Sequence, residues 1–157
     1  MCGLARSGKS TWIKKNKGNA IIICPDVVRK LIFGHQFHSN AEDFIWACTF
    51  SMVKILLDQG KDIIVDATNL NFDTRNKWYR IAKSFNAKVK IVLVPTSLEQ
   101  CKINNSNSPE DERLPEKVLE GMDMIFEDPR ELEMKSDFFK GYVNELVIYR
   151  PRFRKKK

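Results

Sequence analysis

The residues whose types and spacing most clearly suggest chemistry lie almost at the start of the chain, from Gly3 to Ser10. They read Gly-Leu-Ala-Arg-Ser-Gly-Lys-Ser, which is the G-x-x-x-x-G-K-S pattern of a phosphate-binding loop. Glycines allow the backbone to turn tightly, so that several N–H groups point at the oxygens of a phosphate. A helix that begins near Gly8 adds the positive end of its dipole. The pattern predicts a cradle for the phosphates of a nucleotide.

Two side chains at the end of this loop can act on the nucleotide directly. Lys9 can reach the terminal phosphates as a point charge, and the Ser10 hydroxyl can coordinate the Mg²⁺ that nucleotides carry. ATP and Mg²⁺ are therefore the expected cofactors. The alternative is a glycine turn beside a helix that binds no ligand. The predicted nucleotide-binding residues are Gly3, Leu4, Ala5, Arg6, Ser7, Gly8, Lys9, Ser10 and Thr11.

Two carboxylates follow predicted strands, at the edge where ligands bind in a parallel sheet. Asp26 comes just after Cys24, and Asp66 ends the apolar run 63–65. Asp66 stands where an acid would help to position Mg²⁺, with turn chemistry at a strand end as the alternative. Asp26 and Arg29 can share a helix face, so that the acid could accept a hydroxyl proton while the cation holds a phosphate. The alternative role for Asp26 is to cap that helix.

Alternating helices and strands are predicted to position these residues. Four apolar runs are interpreted as strands, at 20–24, 62–66, 88–94 and 145–149. Helices are expected at 10–15, 25–33, 40–59, 73–85, 97–103, 115–126 and 129–134, and the polar stretch 104–112 as a mobile connection. Apolar faces are predicted on two of the helices, at Phe44, Cys48, Met52 and Ile55 and at Trp78, Ile81, Ala82 and Phe85. This order indicates an α/β fold, with a parallel sheet and helices on both of its faces.

One element of that fold is missing from the expected order. A phosphate-binding loop follows a buried parallel strand, but only Met1 and Cys2 precede Gly3. The sheet is therefore expected to have a central gap, with unpaired backbone groups on both neighbouring strands. Either the chain as given is truncated or another segment fills this position.

The positive charge of the chain is concentrated at one end. The net charge is +7, from 27 Lys and Arg against 20 Asp and Glu. Six of the basic side chains lie in residues 150–157, so 21 basic residues remain against 20 acidic ones in the rest of the chain. We therefore expect a domain at 1–149 and a basic tail at 150–157. The tail could hold nucleic-acid phosphates or be a solvated terminus.

Composition argues against several other classes of protein. No run of 18 apolar residues and no signal peptide is present, so we expect a cytoplasmic protein with no membrane partner. The four cysteines are widely scattered, which favours free thiols over disulfides or a zinc site. His35 and His38 lack a third metal ligand at a suitable spacing. The tryptophans at 12, 46 and 78 are expected in the core, with stacking on a base as the alternative.

These features together resemble the polynucleotide 5′-hydroxyl kinase family of P-loop kinases. The similarity runs from Gly3 to about Glu131. It rests on Gly3–Ser10 with Thr11-Trp12, Pro25-Asp26-x-x-Arg29, the stretch Asp66-Ala67-Thr68-Asn69-Leu70-Asn71 with Arg75 and Trp78, and Val94-Pro95. The resemblance implies a P-loop NTPase fold with an adenylate-kinase-like parallel sheet of order 2-3-1-4-5, whose first strand is the absent one. It also implies transfer of the ATP γ-phosphate to a hydroxyl.

The resemblance further implies a role for each matching position. Asp26 would be the general base, and Lys9 and Ser10 would bind phosphates and Mg²⁺. The implied substrate-binding residues are Arg29, Asp66, Asn69 and Arg75, and Asp66 would also lie near the metal.

The chain departs from this family in the lid over the nucleotide. Asn104 takes the place of one expected lid arginine, and Ser108 stands near the place of another. Arg113 and Lys102 are then the candidates for neutralising the charge of the transition state. The alternative is that the lid segment is an unstructured surface loop. The expected acceptor is the 5′-hydroxyl of a polynucleotide or nucleotide. A small-metabolite kinase and an inactive nucleotide-binding module are the alternatives, and the sequence does not indicate an oligomeric state.

Overall fold

The computed structural model describes residues 1–34, 39–135 and 142–153. Four short strands alternate with helices in these ranges, which confirms the predicted α/β fold. The strands are β1 (Ile21–Ile23), β2 (Ile63–Val65), β3 (Lys90–Leu93) and β4 (Glu145–Ile148). The α-helices are α1 (Lys9–Asn16), α2 (Pro25–Phe33), α3 (Glu42–Asp58), α4 (Phe72–Ser84), α5 (Leu98–Ser106), α6 (Glu116–Met124) and α7 (Pro129–Leu132). Short 3₁₀ turns lie at Ser39–Ala41 and Glu110–Glu112.

The strands form two parallel pairs, β1 with β2 and β3 with β4. Met1 and Cys2 lie between the two pairs and connect them. The amine of Met1 donates to the Val65 carbonyl at 3.1 Å. On the other side, Cys2 N–H donates to the Val92 carbonyl at 2.8 Å and the Cys2 carbonyl accepts from Val94 N–H at 2.9 Å. The order is therefore β1, β2, Met1–Cys2, β3, β4, which is the expected order with the central strand reduced to a stub.

A cleft of about 720 Å³ continues from this stub between β2 and β3. Its lining includes apolar side chains from three helices, namely Trp12 of α1, Val53 and Leu57 of α3, and Trp78, Ile81 and Phe85 of α4. The sequence predicts β2 as a buried strand, but each of its three residues is only half-buried, because the strand has no full neighbour on the β3 side. The central gap expected from the sequence is thus present in the sheet.

The buried face of α3 differs from the predicted one. Ile45, Thr49 and Val53 are buried, whereas Phe44 and Ile55 are 54% and 59% exposed. Apolar residues occur on most sides of this helix, so their spacing could not select the face that packs against the sheet.

The interior face of α4 also differs, because it contains a buried polar cluster. Arg75 and Tyr79 are both 3% exposed, and Glu133 beyond α7 is 1% exposed. Arg75 forms an ion pair with Glu133, and the Tyr79 hydroxyl donates to the same carboxylate at 2.9 Å. Arg75 Nη1 also donates to the carbonyls of Asn69 and Leu70 at 3.0 and 2.9 Å. This cluster fastens α7 and the loop after β2 to α4.

The stretch 104–112, whose polarity predicts a mobile connection, contains the end of α5 and a 3₁₀ turn. Helix α5 continues to Ser106 instead of ending near Ile103. Asn105 donates to the Leu114 carbonyl at 2.7 Å and accepts from Leu114 N–H at 3.0 Å. The side-chain amide thus replaces the missing apolar contacts and holds the segment in place.

The predictions about a membrane span, the cysteines and the two histidines can be compared with the described residues. None of the described helices combines the length and apolar character needed to cross a bilayer. The four cysteines are free, and Cys2 and Cys101 are buried. His35 and His38 lie outside the described residues, as do residues 154–157 of the basic tail.

Candidate nucleotide-binding site

The loop from Gly3 to Ser10 adopts a conformation that depends on its glycines. Gly3 has φ 141° and Gly8 has φ 103°, values that residues with a Cβ rarely adopt. Gly8 is the N-cap of α1, so the helix begins at Lys9, close to its predicted start. The backbone N–H groups of the first helical turn therefore face the loop, which is the arrangement that binds phosphate.

Lys9 lies inside this loop and is only 8% exposed. Its ammonium donates to the carbonyls of Gly3 and Leu4 at 3.1 and 2.6 Å. Burial lowers the pKa of Lys9, and the negative charge of Asp66 opposes that shift. The cation is thus held at the centre of the cradle by backbone oxygens that a phosphate can replace.

A pocket of about 270 Å³ opens in front of the loop. Ser7 of the loop is fully buried, and its Oγ is the one buried side-chain oxygen or nitrogen without a partner in the part of the chain that the structure describes. The lysine and the helical N–H groups at the pocket suit the oxygens of a polyphosphate. The pocket is lined by Arg6, Gly8, Lys9, Ser10, Thr11, Asn104, Ser108 and Phe153.

Three contacts from outside the loop hold the cradle in place. Thr96 Oγ1 donates to the Ser7 carbonyl at 2.8 Å, and Gly3 N–H donates to the Thr68 carbonyl at 3.0 Å. Asn104 Nδ2 donates to the Arg6 carbonyl at 2.8 Å. Thr96 directly follows the Val94-Pro95 pair but was not among the predicted site residues. Asn104, which takes the place of an expected lid arginine, supports the loop through its side chain.

The two predicted acids lie near the lysine. Asp66 is half-buried just beyond β2, and burial raises its pKa while the positive charges of Lys9 and the Met1 amine oppose the rise. Asp26 also acts electrostatically on both Lys9 and Asp66. The structure therefore brings these three side chains to one edge of the sheet. The Ser10 hydroxyl and the Asp66 carboxylate supply oxygen ligands of the kind that Mg²⁺ prefers.

Asp26 does not cap α2, because Cys24 occupies the N-cap position. The side chain of Asp26 is 86% exposed and accepts a hydrogen bond from Arg29 Nη1. Arg29 also donates twice to Glu42 of α3, at 2.8 Å each, and this hydrogen bonding raises the pKa of the arginine. Glu42, which sequence reasoning missed, therefore fixes the guanidinium beside Asp26. In the sequence, Glu42 could have been noticed as an acidic residue in the first turn of a predicted helix.

Two of the residues predicted to bind substrate make contacts inside the protein. The Asn69 amide donates to the Met1 carbonyl at 2.7 Å and accepts from Trp78 Nε1 at 2.9 Å. Arg75 is enclosed with Glu133 in the cluster described above. The polar groups of both side chains are thus engaged inside the protein, where they hold the N-terminus and α7, and their binding to substrate stays a prediction.

The cations of the predicted lid contact their own neighbours. Arg113 Nε donates to the Ser108 carbonyl at 2.9 Å. Lys102 pairs with Glu116 and Glu120 at 3.3 and 2.6 Å. Neither side chain lines the pocket in front of the loop. In this conformation the lid therefore brings no arginine to the phosphates.

The residues after β4 form part of the pocket, which the sequence did not predict. A Cβ placed on Gly8 would lie 3.1 Å from Pro151 Cγ and 3.9 Å from Phe153 Cε1. The beginning of the basic tail thus packs on the phosphate-binding loop. An aromatic residue among arginines was the only sequence signal for this contact.

Replacing Gly3 with Ala is expected to lower the free energy of unfolding by about 2 kcal/mol. The new Cβ would lie 2.6 Å from the Val94 carbonyl oxygen, at a φ of +141°. Gly18→Ala is the matched control, because Gly18 also has a positive φ but nothing lies within 4 Å of the added atom. Urea unfolding checks both variants. An equal loss in the two would show that backbone conformation, and not the contact with Val94, requires glycine.

Comparisons with known proteins identify a family and similar folds. A family model described as an AAA domain matches residues 1–129.

The fold is similar to that of Kti12 from Chaetomium thermophilum, which was solved in complex with ADP-AlF3. The two chains are 18% identical and superpose with a TM-score of 0.64, over 95% of this chain and 86% of that one. It is also similar to a gluconokinase from Sinorhizobium meliloti 1021, with 15% identity, a TM-score of 0.57, and coverage of 95% and 79%. No curated protein matches the chain significantly. The phosphate cradle and a family match over most of the sequence lead to one conclusion: the chain belongs to the AAA domain family and has a P-loop NTPase-like fold.

Proposed function

We propose that this protein is an ATP- and Mg²⁺-dependent kinase that transfers the γ-phosphate to a hydroxyl group. The observation that carries the proposal is the position of two carboxylates beside the cradle that holds Lys9: Asp66 directly follows β2, and Asp26 lies in the first turn of the helix after the paired strand β1. The acceptor oxygen forms a bond to the γ-phosphorus, the bond from that phosphorus to the β,γ-bridging oxygen breaks, and ADP leaves. The acceptor proton passes to the exposed carboxylate of Asp26.

The other residues of the site position charge. Lys9 and the first turn of α1 hold the phosphates, and Ser10 with Asp66 would hold the metal ion, which neutralises phosphate charge when bound. Glu42 fixes Arg29 beside Asp26, so that a phosphate on the acceptor meets an oriented guanidinium. Most of the rate enhancement would come from positioning and electrostatics.

The acceptor that we propose is the 5′-hydroxyl of a polynucleotide or nucleotide. The resemblance of the loop, the Asp26–Arg29 pair and the 66–71 stretch to polynucleotide 5′-hydroxyl kinases supports it. The high exposure of Asp26 supports this acceptor as well, because the 5′ end of a polynucleotide can reach a general base that lies at the protein surface.

Two other functions have specific support. The likeness to a gluconokinase and the near-neutral charge of residues 1–149 favour a small-metabolite acceptor. The contacts of Arg113 and Lys102 with their own neighbours favour a nucleotide-binding module without turnover, because an arginine at the transferring phosphate is worth about 10³–10⁵ in rate.

One assay separates the three functions. The protein is incubated with γ-labelled ATP, Mg²⁺ and one acceptor at a time. The acceptors are 5′-hydroxyl DNA, 5′-hydroxyl RNA, nucleoside 3′-monophosphates, and gluconate or other sugars. The variant Lys9→Met is the inactive control. Label on oligonucleotides or nucleotides supports the proposal. Label only on a sugar acid or sugar assigns the second function. ATP binding by calorimetry without any labelled acceptor assigns the third, and absence of ATP binding overturns all of them.

Phe153→Ala is expected to weaken ATP binding roughly tenfold or more, because an aromatic ring beside the phosphate loop can stack on the base. Binding of inorganic tripolyphosphate, which has no base, should not change. Phe44→Ala is the control, since Phe44 is an exposed phenylalanine on α3. Competition titrations of both ligands check the result. An equal loss for ATP and tripolyphosphate would assign Phe153 to support of the loop, and tighter ATP binding would show that the tail blocks the site.

A further inference from the structure

Two basic side chains belong to the lining of the phosphate pocket in the described part of the chain, Lys9 and Arg6. Lys9 is buried, and its ammonium donates to carbonyls of the loop itself. Arg6 is half-buried and contacts the predicted lid. Its Nη1 lies 3.6 Å from Glu112 Oε2, and its Nη2 donates to the Glu112 carbonyl. The guanidinium of Arg6 therefore links the phosphate-binding loop to the 3₁₀ turn at 110–112.

The backbone of Arg6 has a conformation that is unfavourable for an arginine. Its φ is 62°, in the left-handed region that bulky residues rarely adopt. The other non-glycine residues with positive φ in the described ranges are Asn69 and Asn86, and asparagine tolerates this region well. A glycine at position 6 would adopt it without strain. The arginine side chain is thus present at a cost in stability, which is typical of a residue at a functional site.

The backbone at this position is also fixed from the lid side. Asn104 Nδ2 donates to the Arg6 carbonyl at 2.8 Å. Gln100 Nε2 donates to Asn104 Oδ1 at 3.0 Å, which orients the Asn104 amide for that contact. Asn104 stands where a lid arginine is expected, so the lid position that lacks a cation instead holds the backbone of a cation in the loop.

The contact between Arg6 and Glu112 can be exchanged for a contact with a nucleotide. The Glu112 side chain is 59% exposed, and an ion pair with such a partner contributes little to stability. ATP brings several negative charges into the pocket that Arg6 lines. Phosphate oxygens also accept paired hydrogen bonds from a guanidinium. A bound polyphosphate therefore competes well with one solvated carboxylate for the same side chain.

We propose that Arg6 releases Glu112 when ATP binds and contacts the transferring phosphate, in place of the lid arginines that the chain lacks. This inference rests on the proposed kinase function. Arg113 and Lys102 of the lid contact their own neighbours, so the cation comes from the loop instead. Arg6 donates hydrogen bonds to the oxygens of the phosphoryl group as it passes from ADP to the acceptor, and it transfers no proton.

Arg6→Gln tests the contact with phosphate, because glutamine is polar and non-glycine but carries no charge. The variant is expected to weaken ATP binding about tenfold and ADP binding much less, since the contact is with the transferring phosphate. Its transfer rate should fall by about 10³-fold or more. Arg6→Lys keeps the charge without the paired donors, so it should recover most of the ATP affinity but only about a tenth of the rate. Thermal unfolding should show a Tm close to the parent's for both variants. Equal losses for ATP and ADP would overturn the assignment.

Glu112→Gln tests the exchange of partners. It is expected to tighten ATP binding about threefold, because no ion pair has to be broken first. The same change made in the Arg6→Gln protein should have no effect. Glu110→Gln is the matched control, because Glu110 is an exposed acid of the same turn. Calorimetric titrations of ATP check all four proteins. Equal tightening by the two glutamate changes, or by Glu112→Gln in both backgrounds, would show a general effect of charge and overturn the exchange.

These binding measurements require no acceptor, so they separate this inference from the kinase function. If the titrations behave as expected and no acceptor is labelled, the exchange between Glu112 and ATP is supported and the kinase function is overturned. If the parent and Arg6→Gln label an acceptor at the same rate, the kinase function stands and the role of Arg6 is overturned.

Discussion

Asp26→Asn is expected to lower the rate of phosphate transfer by about 10²- to 10⁴-fold, the range for loss of a general base. The amide has the shape of the carboxylate but cannot take the acceptor proton. ATP affinity should change little, because the side chain is 86% exposed and does not line the phosphate pocket. Initial rates with labelled ATP, together with calorimetric titration of ATP on the same protein, measure the two effects separately.

Asp73→Asn is the matched control for this change. Asp73 is likewise an exposed acid in the first turn of a helix, but it belongs to α4. Its replacement should leave transfer unchanged. If Asp26→Asn also leaves turnover intact, Asp26 is not the base. A parallel fall in turnover and in ATP affinity would instead mean that its charge supports nucleotide binding at Lys9.

Glu133→Ala is expected to lower the free energy of unfolding by about 3–5 kcal/mol, as when one partner of a buried ion pair is removed. Glu133 is 1% exposed and accepts hydrogen bonds from Arg75 and Tyr79. Without it, the Arg75 guanidinium remains buried with no opposite charge. Urea unfolding of the variant and of the parent chain gives the difference.

Glu131→Ala, on α7 just before Glu133, is the control, because Glu131 pairs with Lys135 at the surface. Exposed pairs contribute about 0–1 kcal/mol, so this variant should be nearly as stable as the parent. The double variant Arg75→Met/Glu133→Met should lose less stability than the two single changes added together, because no unpaired charge remains. Additive losses would contradict the assignment of the pair as one coupled unit.

The parts of the site that lie close together in sequence could be predicted well. The positive φ angles of Gly3 and Gly8, the helix start at Lys9, and the positions of Asp26 and Asp66 after their strands all follow from local patterns. The four strands were predicted because short runs of branched apolar residues have few other stable arrangements in a helix-rich chain.

Contacts between distant segments could not be predicted in this way. Arg75 pairs with Glu133, which is 58 residues away in the sequence. Thr96 reaches Ser7 across 89 residues and Asn104 reaches Arg6 across 98. A side-chain type shows which bonds it can make, but only the packed fold selects the partner.

The phosphate cradle and the order of the elements could be predicted without the structure, because each follows from residues that are neighbours along the chain. The packed fold was needed to show which face of α3 is buried, that Glu42 holds Arg29 beside Asp26, and that Phe153 borders the pocket. The physical reason is that backbone conformation and apolar periodicity are local properties. The pairing of polar side chains depends on which surfaces the folded chain brings together.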